Sequence, residues 1–284
     1  MNRFERLLAG TLASVITCAA AAQAAPAHNA SAQAESVKHL SSFQTIELRR
    51  YTTTDGARER FAKYFDTYFP EAFEQLGAMV FGQFLERGNP NHFTWLRGYK
   101  DLSARPVVCA EFYYGPLWKE HRSKVNAILP DSDNVILLQP LHPEHGLLVL
   151  PAVDPVEETK GAQGVVVMQI FPVKKGSEEA FAKQSEAAFA HYRIDGVHEA
   201  GVLISLDVPN NFPQLPIRTD GPWLVWVGVV KDNAMLDAKV APAMKAAEQS
   251  LAATGLLRGE IERVVMDPTP RSRLRWLEGG HPSP

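Results

Sequence analysis

The feature that most constrains the fold of this chain is an internal repeat with a period of about 120 residues. Gly56 is followed five residues later by Phe61. Gly176 is followed five residues later by Phe181. Self-similarity at a long, fixed period indicates that one supersecondary unit occurs twice. The 284 residues are therefore predicted to contain two copies of one unit.

The same register extends through other parts of the two copies. Residues 46–48 fall on residues 166–168, and the turn at Pro90-Asn91 recurs as Pro209-Asn210. Hydrophobic periodicity and turn residues give the order of elements in the first copy. That order is a strand at 43–51, a helix over 61–76 that Pro70 interrupts, strands at 78–86 and 92–99, a helical region at 101–129 broken at Gly115-Pro116, and a strand at 135–139.

This βαββαβ order is the signature of a ferredoxin-like α+β fold. Helices cover one face of such a sheet and leave the other face bare. Two copies in one chain can cover each other by packing sheet against sheet, and periodicity does not distinguish this from pairing across chains. The fold class is therefore predicted as α+β, with two tandem ferredoxin-like βαββαβ units.

The composition of each segment sets the predicted boundaries. Arg3 and Arg6 precede an apolar run that ends in Ala22-Gln23-Ala24, as in a secretory signal peptide. The predicted divisions are a signal peptide at 1–24, a flexible tether at 25–42, a first unit at 43–141, a linker at 142–162 with an extra strand over Leu147–Leu150, a second unit at 163–267 and a C-terminal tail at 268–284.

Cleavage after Ala24 predicts a periplasmic or secreted protein without a stable membrane span once the signal is removed. Cys18 leaves lipid attachment as an alternative, although Val15-Ile16-Thr17 matches that motif weakly. After cleavage, Cys109 is the only cysteine, so no intrachain disulfide can form. Its apolar neighbours predict a buried, inert thiol.

Charge and motifs exclude several classes of function. The formal net charge of −3 gives no basic excess for binding phosphates, so nucleic acid is not expected as a partner. The sequence has no GxSxG, HExxH, P-loop or Rossmann glycine motif, and no cofactor is predicted. His142-Pro143-Glu144-His145 has a spacing typical of metal ligands but lies in the linker, so no metal site is predicted.

Several segments resemble sequences of the NIPSNAP family. They are Glu47-Leu48-Arg49-Arg50-Tyr51, Phe93-Thr94-Trp95-Leu96-Arg97-Gly98-Tyr99, residues 114–122 (YGPLWKEHR), residues 131–135 (DSDNV) and residues 268–272 (PTPRS). The resemblance implies a dimeric α+β-barrel fold, a superfamily that contains cofactor-independent monooxygenases and haem-degrading enzymes. The family has no settled catalytic activity and supplies no catalytic residues to transfer. Fold kinship alone does not assign a reaction.

Alternation along the strands predicts which side chains share a face. If Ile46 and Leu48 face the helices, the alternate residues face the barrel interior. We predict a ligand cavity there with a charged, aromatic wall from the first copy and an apolar wall from the second. The predicted ligand-binding residues are Glu47, Arg49, Tyr51, Trp95, Arg97, Tyr99, Trp118 and Trp226. The alternative is that Glu47 pairs with Arg49 or Arg97 only to neutralise charge.

His121 is the candidate catalytic residue. It shares one helical face with Leu117, Val125 and Ile128, where a histidine can act as a general base, bind haem or simply belong to the core. Three functions remain open: binding of a small, partly apolar or amphipathic molecule between the two sheets, cofactor-independent oxygenation or haem handling, and a protein-interaction module with a packed barrel. A homo-oligomer is compatible with each of them.

Overall fold

The computed structural model describes residues 43–278, so the predicted signal peptide and tether lie outside the described residues. Two copies of the βαββαβ order are present, as predicted. The first copy comprises β1 (Thr45–Thr52), α1 (Arg58–Tyr68), α2 (Pro70–Gln75), β2 (Met79–Glu86), β3 (His92–Tyr99), α3 (Ala104–Tyr113), α4 (Pro116–Asn126) and β4 (Asp131–Pro140).

The second copy follows a short 3₁₀ turn at Pro143–His145. It comprises β5 (Val165–Pro172), α5 (Glu178–Phe189), a 3₁₀ turn at Ala190–Tyr192, β6 (Val197–Ser205), β7 (Trp223–Val230), α6 (Asn233–Met235), a π-helical turn at Leu236–Val240, α7 (Ala241–Ala253) and β8 (Glu262–Pro268). Within residues 43–278, no helix is both long enough and apolar enough to cross a membrane.

Two prolines divide the helical regions of the first copy where the sequence predicts breaks. Pro70 begins α2 after Phe69, the one residue that separates it from α1, and Pro116 begins α4 after Gly115, which is extended. Proline is favoured at the first position of a helix because it has no backbone N–H to leave unsatisfied there. The breaks are therefore consequences of local backbone chemistry.

The eight strands close into one antiparallel barrel within a single chain, in the order β1-β3-β2-β8-β5-β7-β6-β4. The two copies join where β2 pairs with β8 and where β4 pairs with β6. Glu47 lies opposite Arg97 in the first copy, and the equivalent pair in the second copy is Val167 and Gly228. Closure within one chain settles a question that periodicity leaves open.

The prediction that Ile46 and Leu48 face the helices is wrong. Ile46 and Leu48 belong to the apolar cluster inside the barrel, which also contains Met168 and Val227 from the second copy. The alternate residues, beginning with Glu47, point outward to the helices. Both faces of β1 are buried, so alternation shows which residues share a face but gives no burial contrast to identify the inner one.

The linker and the C-terminal segment add to the barrel. Leu147–Leu150 are buried in the interior cluster and do not form one of the eight strands, although the Leu148 N–H donates to the Ala200 carbonyl at 2.8 Å. After β8, Thr269, Ser272 and Leu274 are also buried. The described interior of the barrel is therefore packed with apolar side chains from both sheets, the linker and the C-terminal segment.

Candidate functional site

A cavity of about 400 Å³ lies between the outer face of the first copy's sheet and its helices. This volume falls within the range that small-molecule sites usually have. Most of its lining is aromatic or aliphatic. The lining comprises Arg49, Tyr51, Phe61, Phe65, Phe69, Phe73, Trp95, Phe112, Tyr113, Tyr114, Trp118, Arg122, Val125, Asn126, Leu129, Ser132, Phe212, Gln214 and Leu215.

A cluster of charged side chains forms the floor of this cavity and the layer beneath it. Glu47 Oε2 accepts hydrogen bonds from Arg49 Nη1 at 3.0 Å and from Arg97 Nη2 at 2.5 Å. Glu47 Oε1 accepts one from Arg105 Nε at 2.7 Å. All four residues are at most 1% exposed. We call these four residues the charge cluster.

The charge cluster contains more positive than negative charge. Among the described residues, Glu47 is the only carboxylate that pairs with its three guanidinium groups. Arg97 Nη1, Arg105 Nη2 and the indole Nε1 of Trp95 are buried without a hydrogen-bond partner. Buried charge is costly unless it is paired, so this arrangement favours an additional anion.

The field of the arginines controls the ionisation of Glu47. Burial acts to raise the pKa of the Glu47 carboxyl, but Arg97, Arg49 and Arg105 outweigh it and hold that pKa far below its usual range. Burial likewise raises the pKa of Tyr113 to about 12, against the opposing field of Arg97. Glu47 is therefore ionised at neutral pH, and the Tyr113 hydroxyl keeps its proton.

Aromatic rings surround the guanidinium groups and hold them in place. The Arg97 guanidinium carbon lies 4.5 Å from the Phe73 ring centre and 5.0 Å from the Trp95 ring centre. Arg49 lies 5.4 Å from the Tyr51 ring centre and donates from Nε to the Tyr51 hydroxyl at 2.8 Å. These cation–π contacts stabilise positive charge where little water is present.

The second copy contributes one wall of the cavity. Phe212, Gln214 and Leu215 belong to the connection between β6 and β7, which reaches across to the first copy. Arg105 Nη1 donates to Asn210 Oδ1 at 3.0 Å and to Asn211 Oδ1 at 2.8 Å. The cavity is thus assembled from both repeats.

The structure brings together most of the predicted ligand-binding residues, but on the outer side of the sheet. Arg49, Tyr51, Trp95 and Trp118 line the cavity. Glu47, Arg97 and Tyr99 lie on the same face of the sheet in the layer beneath, where the Tyr99 hydroxyl lies 3.2 Å from Cys109 Sγ. Cys109 is fully buried, as predicted.

Trp226 does not join this site. It packs in the helix-facing core of the second copy, with its ring centre 4.8 Å from that of Tyr192, and its Nε1 donates to Glu199 at 2.9 Å. The charged wall of the first copy and the apolar wall of the second were predicted to face each other across one cavity. Each of them instead faces the helices of its own copy. The predicted difference in composition between the two copies is present. Arg49 lies opposite Trp95 in the first copy, and Gln169 lies opposite Trp226 at the equivalent position of the second.

His121 also lies away from the cavity lining. Its Nδ1 is hydrogen-bonded to the Tyr64 hydroxyl, and its ring centre is 4.3 Å from that of Tyr68. The ring is buried between α1 and α4, with its centre 6.1 Å from that of Phe69, which lines the cavity. The structure thus gives His121 a packing environment, and does not bring it to the charge cluster.

Arg105 is the main residue of the site that the sequence analysis does not identify. It occupies a buried face of α3 with Val108, Cys109 and Phe112. These positions follow helical spacing, so an arginine on an apolar helical face was the available signal. The lining residues of the β6–β7 connection had no such signal, because they come from the other repeat.

The lining limits the chemistry that the cavity can perform. It contains no carboxylate and no histidine, so no described lining residue is an effective proton acceptor at neutral pH. The lining also contains no histidine, cysteine or methionine, which are common side-chain ligands of haem iron.

Two other places in the described structure have features of a site. An open groove of about 920 Å³ runs between the linker and the C-terminal segment, and ion pairs such as Arg275 with Glu158 line it. His142 and His145 are close in space, but the described residues include no cluster of three or more histidine, cysteine or acidic residues arranged for a metal. Neither place contains the predicted site residues.

Comparison with known proteins finds a family profile that matches the first repeat and solved structures that share the barrel fold. The NIPSNAP family profile matches residues 46–140. A NIPSNAP domain protein of Burkholderia xenovorans is 22% identical, with a TM-score of 0.32, and the match covers 34% of this chain and 93% of that one. No curated protein matches this chain.

Among the solved structures that resemble this chain, two match over both repeats at low identity. A monooxygenase-like protein of Lactobacillus acidophilus NCFM is 12% identical with a TM-score of 0.51, and the match covers 81% of this chain and 97% of that one. An anthrone oxidase-like protein is 14% identical with a TM-score of 0.51, covering 80% and 91%. At such identities these likenesses establish the dimeric α+β-barrel fold alone.

Proposed function

We propose that this chain, whose residues 46–140 match the NIPSNAP family profile, binds a small molecule with an apolar body and one anionic head. The site is the cavity on the helix side of the first unit, and not the space between the two sheets. The observation that carries the proposal is the charge cluster, in which three buried guanidinium groups share one carboxylate beside an aromatic cavity.

The position of Arg49 supports the orientation of the ligand. Arg49 is the member of the charge cluster that lines the cavity, whereas the other lining arginine, Arg122, is exposed on α4. Arg49 is therefore the buried cation that the anionic head would meet. Trp95 adds an unpartnered N–H at the same floor. The phenyl rings of α1 and α2 would contact the apolar body, and burial of that body would supply much of the affinity.

Binding is favoured over the two other functions by the same set of residues. An oxygenase that begins with proton removal needs a proton acceptor within hydrogen-bond reach of its substrate, and the described lining has none. A protein-interaction module needs no cavity of this volume. Export to the periplasm or beyond stays a proposal from the sequence, since the signal peptide lies outside the described residues.

The direct test compares an aromatic acid with its uncharged amide. We expect the full chain to bind 2-naphthoate about 10- to 100-fold more tightly than 2-naphthamide, because a hydrogen bond to a charged group contributes about 1.5–3 kcal/mol. Arg49→Met should abolish this preference. Titration calorimetry measures both affinities, and circular dichroism checks that the variant is folded.

The control is Arg193→Met, which removes an exposed arginine of the second unit that does not line the cavity and should leave both affinities unchanged. Arg49→Met should still fold, because Glu47 keeps Arg97 and Arg105 as partners. Equal affinity of the wild type for the acid and the amide would contradict the proposal. So would an Arg49→Met variant that retains the preference.

A further inference from the structure

The connection between the second and third strands of the unit differs greatly in length between the two repeats. In the first repeat, β2 and β3 are joined by residues 87–91, whereas residues 206–222 join β6 and β7 in the second. The long connection passes over the cavity of the first unit. We call residues 207–217 of this connection the lid.

The lid is fixed at its two ends. The Leu206 N–H donates to the Leu137 carbonyl at 3.0 Å, and the Arg218 N–H donates to the Val135 carbonyl at 2.8 Å. Both acceptors are on β4. Between these ends, the lid's backbone-to-backbone hydrogen bonds stay within the connection itself, from Val208 to Leu206 and from Leu215 to Phe212.

Few side chains hold the lid down. Asn210 and Asn211 accept from Arg105 Nη1, and Asn211 Nδ2 donates to the Leu102 carbonyl at 2.7 Å. Phe212 is 6% exposed and is the one residue of the lid that is buried. Its ring centre lies 6.4 Å from that of Tyr113. A segment with so few anchors opens at a low free-energy cost.

Arg105 connects the lid to the floor of the cavity. Its Nε donates to Glu47, and its Nη1 donates to the two asparagines of the lid. Pro209, Pro213 and Pro216 restrict the backbone of the lid. The lid is therefore suited to move as a unit about its two fixed ends, and Arg105 alone bridges the charge cluster and the lid.

We propose that the lid opens to admit the ligand, that Arg105 is the positioning residue that latches it, and that Phe212 determines how large a ligand the cavity accepts. The parts concerning a ligand rest on the proposed function, whereas the latch itself does not. A site completed by the other repeat explains why the second repeat carries the longer connection.

Hydrogen exchange of the full chain without ligand tests the latch. In Asn210→Ala/Asn211→Ala, we expect the amides of residues 207–217 to exchange on the order of 10-fold faster, since both lid acceptors of Arg105 Nη1 are lost, together with the Asn211 bond to the Leu102 carbonyl. Exchange in β7 should not change. The matched control is Asn91→Ala, in the short turn that corresponds to the lid and does not reach the cavity.

The latch is overturned if the exchange rates of residues 207–217 are the same in the double variant and the wild type. It is also overturned if Asn91→Ala accelerates the same amides equally. If those rates rise as expected while the wild type fails to bind 2-naphthoate, the latch stands and the proposed function fails. The two proposals are thus separated by their readouts.

Ligand size tests the role of Phe212. We expect Phe212→Ala to shift the affinity ratio of three-ring 2-anthroate to two-ring 2-naphthoate about 10-fold toward the larger acid, because the variant removes a ring from the cavity wall. Phe212→Leu should shift it less. An unchanged ratio in Phe212→Ala would overturn the size-determining role, provided that both acids bind.

Discussion

Glu47 supplies the negative charge of the charge cluster, in which it pairs with three arginines. Removing that charge tests how much the stability of the fold depends on it. We expect Glu47→Gln to lower the free energy of unfolding by about 3–5 kcal/mol, because it leaves buried guanidinium groups without their counter-ion. Urea unfolding followed by circular dichroism measures the change. Glu47→Gln keeps the shape of the side chain, so packing is preserved.

The control for this variant is Glu59→Gln. Glu59 forms an ion pair with Arg58 in which its side chain is 65% exposed, and such surface pairs contribute about 0–1 kcal/mol. A Glu47→Gln variant as stable as Glu59→Gln would mean that the charge cluster is already neutralised by other means. That result would also remove the main support for an anionic ligand.

The sequence predicts which residues share the strand face of the charge cluster, but not whether that face points into the barrel or toward the helices. Alternation correctly groups Glu47, Arg49 and Tyr51 with Trp95 and Arg97, because side chains on a strand alternate regardless of what covers them. It cannot say which face points into the barrel when helices bury one side and the opposite sheet buries the other. Arg105 completes the cluster through a contact between residues 58 positions apart, which no local pattern contains.

At the scale of elements, the segment after β8 is held to α1 by a buried acid. Asp66 Oδ1 accepts from Gln83 Nε2 and from Thr269 Oγ1, each at 2.9 Å, and the Asp66 carbonyl accepts from Arg271. Burial raises the pKa of the Asp66 carboxyl above its usual value of 3.8, although these hydrogen bonds oppose the shift. The ionised Asp66 carboxylate therefore lowers the stability of the folded protein at neutral pH.

We expect Asp66→Asn to raise stability at pH 7 by up to about 1 kcal/mol, because an asparagine Oδ1 can accept the same bonds without a buried charge. The advantage should shrink as the pH falls toward 4. The folded wild type takes up a proton at its raised pKa before the unfolded chain does, so the wild type regains stability there.

Urea unfolding at pH 7 and pH 4 measures this effect, with Asp133→Asn as a control at an exposed acid. A variant that is less stable than the wild type at pH 7, or one whose difference does not depend on pH, would show that the carboxylate charge is not the source of the cost.

Element boundaries were the part of the fold most accessible from the sequence. β3 was predicted at 92–99 and occurs at His92–Tyr99, and the helices break at Pro70 and Pro116 as expected. These features depend on local rules of alternation and proline geometry. The predicted strand at Leu147–Leu150 failed because its burial comes from filling the barrel, which is a tertiary effect.

The whole molecule is a barrel whose two halves complete each other. Without the second unit, residues 43–141 would expose the apolar face that contains Ile46, Leu48 and Leu96, and would leave β2 and β4 as open edges. We expect this fragment to form homodimers, in which β2 of one copy pairs with β4 of the other. Sedimentation equilibrium gives the mass.

Adding a separately produced second unit (residues 163–278) should replace the homodimer with a one-to-one complex of higher thermal stability, because only that pairing restores the native joints between β2 and β8 and between β4 and β6. A fragment that remains a folded monomer at micromolar concentration would contradict this expectation. It would mean that each sheet is stable with its inner face in water.

The glycine at position 228, which corresponds to Arg97 in the other repeat, has a consequence for ligand stoichiometry. A barrel of two identical chains carries every substitution twice, so it has two equal cavities that can respond to each other. Two repeats in one chain need not be identical, and here only the first repeat has the arginines of the charge cluster. In the second repeat, the ring of Trp226 lies so close to Gly228 that a Cβ at this position would be 2.1 Å from it. If the cavity of the first unit binds the proposed anion, we expect saturation at one anion per chain and a hyperbolic binding curve without cooperativity.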